Sequence, residues 1–208
     1  MQRAPRRIPS RSPRTPRLLC TSTAVRLFDE FDAPYIDIKG DGAFALFDKG
    51  QHHRALAAAV TFKTFAREVF VPTIKEKTDL VVGSHLGIDQ KPVLVRRIGF
   101  RRAAGRTDRQ NEVWADKPVN MAAKLSSMSN DNELLVSDRF YKRLKKQQAT
   151  HSCGCGSKDG EKVPLWTKVD VSSDDRFDFP AGYRLSLNWC GTHGREYCEA
   201  LLRAEDDD

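Results

Sequence analysis

Tyr35-Ile36-Asp37-Ile38-Lys39-Gly40-Asp41-Gly42-Ala43-Phe44-Ala45-Leu46-Phe47 is the stretch on which the reading of this chain turns. Ile36 and Ile38 alternate with polar neighbours, the period of a half-buried strand. Ala43 to Phe47 is an apolar second strand. Gly40-Asp41-Gly42 between them supplies the turn, because Gly and Asp tolerate backbone conformations that other residues resist. The hairpin carries one carboxylate, Asp41, at its tip, and the flanking glycines leave room for a ligand to approach the backbone. Next to Lys39, such a carboxylate suits a divalent cation carrying phosphates. On local sequence alone an ordinary solvent-facing turn is the simpler account.

Working outward, residues 1 to about 23 are rich in Arg, Pro, Ser and Thr, and their composition predicts disorder. Arg3, Arg6, Arg7, Arg11, Arg14 and Arg17 lie there, and removing these six takes the net charge of the chain from +7 to +1. The nucleic-acid reading that a basic chain invites therefore rests on the tail, and no specific nucleic-acid partner is expected. Thr23 to Phe31 reads as the end of a helix that Pro34 stops, with Leu27, Phe28 and Phe31 on one side. Downstream, His52 to Ile74 reads as one long helix. Phe62, Phe65, Ala66, Val69 and Phe70 form its core-facing stripe, and Pro72 ends or kinks it. His52 and His53 at its start read as surface residues.

Leu80 to Asp89 and Pro92 to Phe100 read as two strands around Gln90-Lys91. Arg96, Arg97, Arg101 and Arg102 form a basic cluster, either a solvated strand end or a phosphate or base contact. After the polar loop 105–110 comes Asn111-Glu112-Val113-Trp114-Ala115-Asp116-Lys117-Pro118-Val119-Asn120-Met121-Ala122-Ala123-Lys124-Leu125. Asp116 and Pro118 are helix-start signals. In the helix that follows, Asn120 and Lys124 are four apart and share one side. An amide and an ammonium so placed can grip a sugar oxygen and a phosphate; an exposed pair on an amphipathic helix is the plainer account. Glu133 to Ser137 reads as a strand and Asp138 to Lys146 as a basic amphipathic helix. The alternation of helices and strands predicts an α/β or α+β domain.

The chain has 208 residues, 39% of them hydrophobic, with no apolar run long enough to span a bilayer. Leu18-Leu19-Cys20 is too short for the core of a signal peptide, so a cytoplasmic protein with no membrane partner is expected. Cys20, Cys153, Cys155, Cys190 and Cys198 give no secreted disulfide framework. From His151 the composition changes. Cys153-Gly154-Cys155-Gly156 and Asn188-Trp189-Cys190-Gly191-Thr192-His193-Gly194-Arg195-Glu196-Tyr197-Cys198 offer thiolates and an imidazole for a structural Zn2+. The candidates are Cys153, Cys155, Cys190 and either His193 or Cys198; the alternative is a small loop-rich extension with free cysteines. Leu165 to Val171 reads as a strand, Ser172 to Asp178 as an acidic loop and Glu196 to Arg203 as a short helix. The expected organisation is a basic tail over 1–23, a main domain over 24–150 and a Cys/His extension over 151–208.

The order of these pieces resembles the class III nucleotidyl cyclases, the adenylate and guanylate cyclase catalytic family. The motifs are the Gly40-Asp41-Gly42 hairpin, the strand pair from Gly83 to Ile98, Val113-Trp114, Val119 to Leu125, and Leu134-Leu135-Val136-Ser137, together covering about residues 24 to 145. Ile38 to Phe44, Val113 to Asn120 and the Cys-x-Cys plus Trp-Cys-x-x-His-Gly tail look like the bacterial pyrimidine cyclases of anti-phage Pycsar signalling. The resemblance implies a ferredoxin-type sheet with helices and conversion of a nucleoside triphosphate to a 3′,5′-cyclic monophosphate. It implies two Mn2+ or Mg2+ ions per site and a head-to-tail homodimer. Asp41 matches a metal-binding carboxylate and Asn120 the residue that orients the ribose. Lys124 stands where the family usually has an arginine on the transition state, and a lysine lacks the bidentate fork.

The same comparison bears on the base. Adenylate cyclases carry a lysine four residues before the metal-binding Asp, where this chain has Asp37, which argues against ATP. Tyr35, Asp37, Arg97 and Glu112 are the candidates for reading a pyrimidine edge, with UTP favoured over CTP. The family's first metal carboxylate lies on a strand before the first long helices, and that strand is missing here; Asp29 and Asp32 precede the hairpin without it. Three readings follow. One is a uridylate cyclase, or a cytidylate cyclase, whose cyclic product activates a separate effector. A second is a catalytically incomplete cyclase-homology domain that binds nucleotide or a partner. The third is a basic nucleic-acid-binding protein with a zinc-stabilised tail.

Overall fold

A helix, Arg14–Glu30 (α1), and a two-stranded hairpin, Tyr35–Lys39 (β1) and Gly42–Leu46 (β2), form the described part of Met1–Asp48, the first of two units in the computed structural model. The structure describes residues 14–78, 80–93, 95–100, 109–114 and 117–205. Residues 14–23, expected to be disordered, are the first part of α1. The reason lies in one face: Thr21, Ala24 and Leu27 are buried at helical spacing, so the burial that a whole-segment composition does not reveal is concentrated on a stripe. Asp32 ends the helix in the left-handed conformation, with φ 54°, and the Ala33 N–H donates to the Phe28 carbonyl at 3.0 Å. In the hairpin Lys39 pairs with Gly42 and Asp37 with Phe44, so Gly40-Asp41 is a two-residue loop. Gly40 has φ +65°, the requirement of the first position in such a turn.

The second unit, Lys49–Asp208, begins with His52–Phe65 (α2), a π-helical turn at Ala66–Phe70, and Val71–Lys77 (α3). Pro72 has no N–H to offer the preceding turn, and the chain widens there instead of breaking. The wide turn rotates the residues beyond it. The buried face is therefore Leu56, Ala59, Val60, Lys63, Ala66, Phe70 and Ile74, while Val69, expected in the core, is 52% exposed. His53, expected on the surface, is fully buried.

His85–Ile88 (β3), Val95–Phe100 (β4), Arg109–Trp114 (β5), Lys117–Met128 (α4), Glu133–Ser137 (β6), Asp138–Tyr141 (α5), Gln147–Thr150 (α6), Trp166–Asp170 (β7), Ala181–Leu185 (β8) and Gly194–Arg203 (α7) complete the unit. The main sheet has the order β3-β6-β8-β7, with β3 parallel to β6 and the other neighbours antiparallel. The strands on either side of Gln90-Lys91 do not form a hairpin: β4 pairs with β5 in a sheet of its own. The segment 151–208 supplies β7 and β8 to the main sheet, so the sequence boundary expected at residue 150 runs through one sheet. The helix expected over 138–146 is the single turn α5, capped by the Ser137 hydroxyl, which accepts from the Phe140 N–H at 3.3 Å.

β6 sets the layers. Its alternation sends Leu134 and Val136 to one face, against Leu56, Val60, Leu185 and Leu201, and Leu135 to the other, against Met121, Leu125, Val171 and Phe179. The helices α2 and α7 thus cover one face and α4 the other. α4 approaches β3 closely because Gly87 has no side chain: a Cβ there would lie 2.0 Å from the Ala122 carbonyl oxygen. No helix among the described residues is long and apolar enough to cross a membrane.

Candidate functional site

Asp41 occupies the hairpin loop of the first unit and is exposed. Within that unit its carboxylate is near enough to add to the effect of burial in pushing the Cys20 thiol up. Asp37, one of the expected base readers, is engaged locally. Its Oδ1 accepts from the Ile38 N–H at 2.8 Å and its Oδ2 pairs with the Lys39 ammonium at 2.7 Å. Tyr35 lies two residues away on β1, its ring 5.9 Å from that of Phe44.

Asn120 and Lys124 sit one turn apart on α4, in the second unit. Met121 and Leu125 are buried, which fixes the roll of the helix and leaves Asn120 exposed and Lys124 half-exposed. The expected shared side is therefore present. The Lys124 Nζ donates to the Arg176 carbonyl at 2.6 Å, a contact to the loop between β7 and β8 that no sequence pattern signals, because its acceptor is backbone. In that loop the Arg176 guanidinium, with the nearby charge of Lys124, holds the Asp174 carboxyl down at about 2. Arg97 and Glu112 are register partners across β4 and β5; their side chains lie outside what the structure describes, as do Arg101, Arg102 and Asp116.

Hard divalent cations take several oxygen ligands. Asp41 offers one carboxylate, and among the described residues of its unit it belongs to no cluster of three or more His, Cys, Asp or Glu side chains. The residues described in the first unit do not by themselves build the two-ion centre that the resemblance implies.

A different donor set does converge, in the second unit. One ligand atom from each of Cys153, Cys155, Cys190 and His193 lies within 4.8 Å of the others. Of the two alternatives for the fourth position, His193 is the one in the group. The Cys198 thiol, pushed up by burial, faces Thr61 on α2. Backbone N–H groups of His193 and Thr192, together with the Cys155 thiol, bring Cys190 down to about 6. Cys155, crowded by the other two sulfurs, is pushed up to about 12. The thiols of Cys153 and Cys190 raise His193.

Sequence reasoning missed Lys63. This fully buried lysine on α2 donates to the carbonyls of Ser186 and Leu187 at 2.8 and 3.0 Å and to Asn188 Oδ1 at 2.7 Å. It pins the segment leading to Cys190. A lysine inside an otherwise apolar helical stripe was the available signal.

No family model matches the chain. Two curated proteins named uridylate cyclase are similar to it in sequence. The one from Micromonospora echinofusca is 35% identical over 191 residues, which cover 89% of this chain and 60% of that protein. The one from Propioniciclava tarda is 37% identical over 187 residues, covering 88% and 58%. The chain thus spans about 60% of the length of the curated relatives it matches. Among solved structures, the adenylyl cyclase CyaB from P. aeruginosa is similar with a TM-score of 0.57 at 14% identity, over 86% of this chain and 84% of that one. A guanylyl cyclase is similar with a TM-score of 0.57 at 14% identity, over 82% and 78%. At that identity the likeness is one of fold. The chain has the fold of the class III nucleotidyl cyclases and is a relative in sequence of proteins named uridylate cyclase.

Proposed function

We propose that this chain is a nucleotide cyclase that converts UTP to 3′,5′-cyclic UMP and pyrophosphate, with CTP and cyclic CMP as the alternative pair. The observation that carries the reading is the likeness in sequence to two proteins named uridylate cyclase over nearly nine-tenths of the chain. The geometry of α4 supports it. Asn120 and Lys124 project from one side of a helix whose other side is fixed in the core, with Asn120 exposed and the Lys124 ammonium resting on the Arg176 carbonyl.

In this chemistry the ribose 3′-oxygen attacks the α-phosphorus, a P–O bond forms, and the bond to the pyrophosphate oxygen breaks. Asn120 is assigned to the ribose and Lys124 to the phosphates. Lys124 would exchange the neutral Arg176 carbonyl for an anionic oxygen, a stronger acceptor. Asp41 is assigned to a divalent cation, Mn2+ or Mg2+. Tyr35, Asp37, Arg97 and Glu112 are assigned to the base. The chain works as a head-to-tail homodimer in the cytoplasm, and its product is a messenger to a separate effector in anti-phage defence; the resemblance of the hairpin and the 113–120 motif supports these assignments.

The competing reading is a nucleotide-binding domain without catalysis, and it is favoured by the absence of Asp41 from any cluster of three or more metal-ligating side chains among the described residues. Incubating the chain with each of UTP, CTP, ATP and GTP in the presence of manganese, followed by mass spectrometry, separates the two. Cyclic UMP and pyrophosphate, lost in Asp41→Ala, are the expected result. Saturable UTP binding by calorimetry with no cyclic product establishes the binding domain instead.

A further inference from the structure

We propose that Cys153, Cys155, Cys190 and His193 form a structural zinc site that clips the 152–157 loop to the segment leading into α7. It is separate from the nucleotide chemistry and does not depend on it. The four donors come from two stretches that the fold brings together, with Cys155 and Cys190 thirty-five positions apart and their sulfurs at 3.2 Å. Cys153 and Cys155 sulfurs lie 3.0 Å apart. All four ligand atoms fall within 4.8 Å of one another, a volume one ion can fill.

Both stretches are built for this placement. Gly154 has φ +87°, and a Cβ on it would lie 2.3 Å from the Gly160 carbonyl oxygen, so the Cys-x-Cys turn closes only around glycine. The Ser157 N–H and hydroxyl both donate to the Gly154 carbonyl, at 3.0 and 2.9 Å. On the other side, the Gly194 N–H donates to the Cys190 carbonyl at 2.7 Å, and a Cβ on Gly194 would lie 2.7 Å from the Trp189 Cβ. The backbone N–H groups of Thr192 and His193 address the Cys190 sulfur, the outer-shell arrangement that orients a thiolate ligand.

An independent observation points to a missing partner. Among the described residues, the His193 Nδ1 is shut off from solvent and meets no partner in hydrogen-bonding geometry, with the Cys153 and Cys190 thiols beside the ring. Buried polar atoms are almost always satisfied, so an orphan beside three thiols calls for a ligand. Three soft sulfurs and an imidazole select zinc over the hard cations of phosphate chemistry, and a Cys3His set closes a tetrahedral structural site.

The consequence is mechanical. Trp189, next to Cys190, donates from its indole to the Thr61 hydroxyl at 2.9 Å and from its backbone to the Thr64 hydroxyl at 3.2 Å. The Tyr197 hydroxyl on α7 donates to the Ser152 carbonyl at 3.2 Å. An ion at the four donors joins these contacts into one clamp that holds α7 and the 152–157 loop against α2.

The test uses the full chain, produced with zinc in the medium and purified anaerobically without chelator. Elemental analysis is expected to give one zinc per chain, released by a mercurial thiol reagent. Cys190→Ser is expected to lose it, while His193→Cys and Cys198→Ser keep it. Chelation is expected to lower the melting temperature of the wild-type chain. Should Cys190→Ser fail to fold, Co2+ added to the metal-free wild-type chain decides, because thiolate-bound tetrahedral cobalt has intense absorption bands. Zinc far below one per chain together with no such cobalt spectrum overturns the proposal. So does equal zinc loss in Cys198→Ser and Cys190→Ser, or a disulfide among the three cysteines in the anaerobic protein.

Discussion

Replacing Gly87 by alanine drives a methyl group into the backbone of α4. The new Cβ would stand 2.0 Å from the Ala122 carbonyl oxygen and 2.6 Å from the Ser126 nitrogen. Ordinary contact begins at 3.4 Å, so one of the two elements must retreat by about 1.4 Å. Neither obstacle is a side chain that can rotate away. Overpacking of a core costs about 1–3 kcal/mol, and backbone on both sides places Gly87→Ala near the top of that range, at about 3 kcal/mol. The helix that must move carries Asn120 and Lys124. A misplacement of about 1 Å in catalytic groups costs on the order of 100-fold in rate, so cyclic UMP formation is expected to fall by about that factor. Urea titration followed by circular dichroism measures the first effect, and product formation by mass spectrometry the second. A variant within about 0.5 kcal/mol of wild type would refute the close approach of α4 to β3. A destabilised variant with undiminished rate would refute the assignment of catalysis to α4.

Lys63→Met leaves two carbonyls without this donor and Asn188 Oδ1 with only the 3.3 Å bond from Asn132 Nδ2, and is expected to destabilise the chain by about 3 kcal/mol, read from urea midpoints; an unchanged midpoint would contradict these contacts. Burial, then the positive charge of Arg67, push Lys63 down to about 8 from 10.5. Its folded value lies below its unfolded one, so the unfolded chain binds more protons between them, and the wild type gains stability relative to Lys63→Met as pH rises through that window. Arg139 pairs with Asp89, whose side chain is 0% exposed, and with Asp178 at 2.9 Å. Arg139→Ala strands a buried carboxylate and is expected to cost about 3–5 kcal/mol in the same assay. Burial pushes Asp178 up, but Lys91 and Arg139 hold it below the usual carboxylate range. Its contribution is therefore full above pH 3.8 and is lost below it, a dependence that should shrink in Arg139→Ala. If each site takes Asp41 from one protomer and Lys124 from the other, mixing Asp41→Ala with Lys124→Ala restores about a quarter of wild-type activity, since half the dimers then hold one intact site. No restoration refutes the shared site.

What could be read from sequence was what local chemistry decides. The Gly40-Asp41 turn needs a positive φ and a short polar residue, and both are written in the chain. The four-residue spacing of Asn120 and Lys124 places them on one side of α4, whereas the burial of Met121 and Leu125, with Ala123 exposed instead of packed, is seen only in the fold. Leu134 to Val136 is a central strand by its unbroken apolar run. β8 escaped because Ala181-Gly182-Tyr183-Arg184-Leu185 lacks a β-branched residue and carries a glycine, yet it holds the centre of the sheet beside β6. The partner of β3 escaped because a parallel pair is joined through a distant crossover, whereas a nearby strand invites a hairpin reading. In α2 and the turn after it, periodicity gave way to the widened turn before Pro72, which carried Val69 outward. The choice between His193 and Cys198 is likewise one of folding, because His193, just before α7, gathers with Cys190 while Cys198, on α7, faces Thr61.

Two of these misreadings, β8 and the choice between His193 and Cys198, lie in the C-terminal segment, and that bears on how the chain works. A sequence boundary at residue 150 suggests an appendage that could be removed. The structure makes the segment part of the unit that holds α4. β8 covers β6, and Val171 and Phe179 pack on Met121 and Leu125. The loop between β7 and β8 supplies the carbonyl that holds the Lys124 ammonium. Truncation after residue 150 would remove the strand beside β6, strip the apolar cover from one side of α4 and free Lys124 at once. The position of Lys124 is thus set from both ends of the unit, by Gly87 beneath α4 and by Arg176 beside it, and only the first of these lies within the stretch that carries the cyclase motifs.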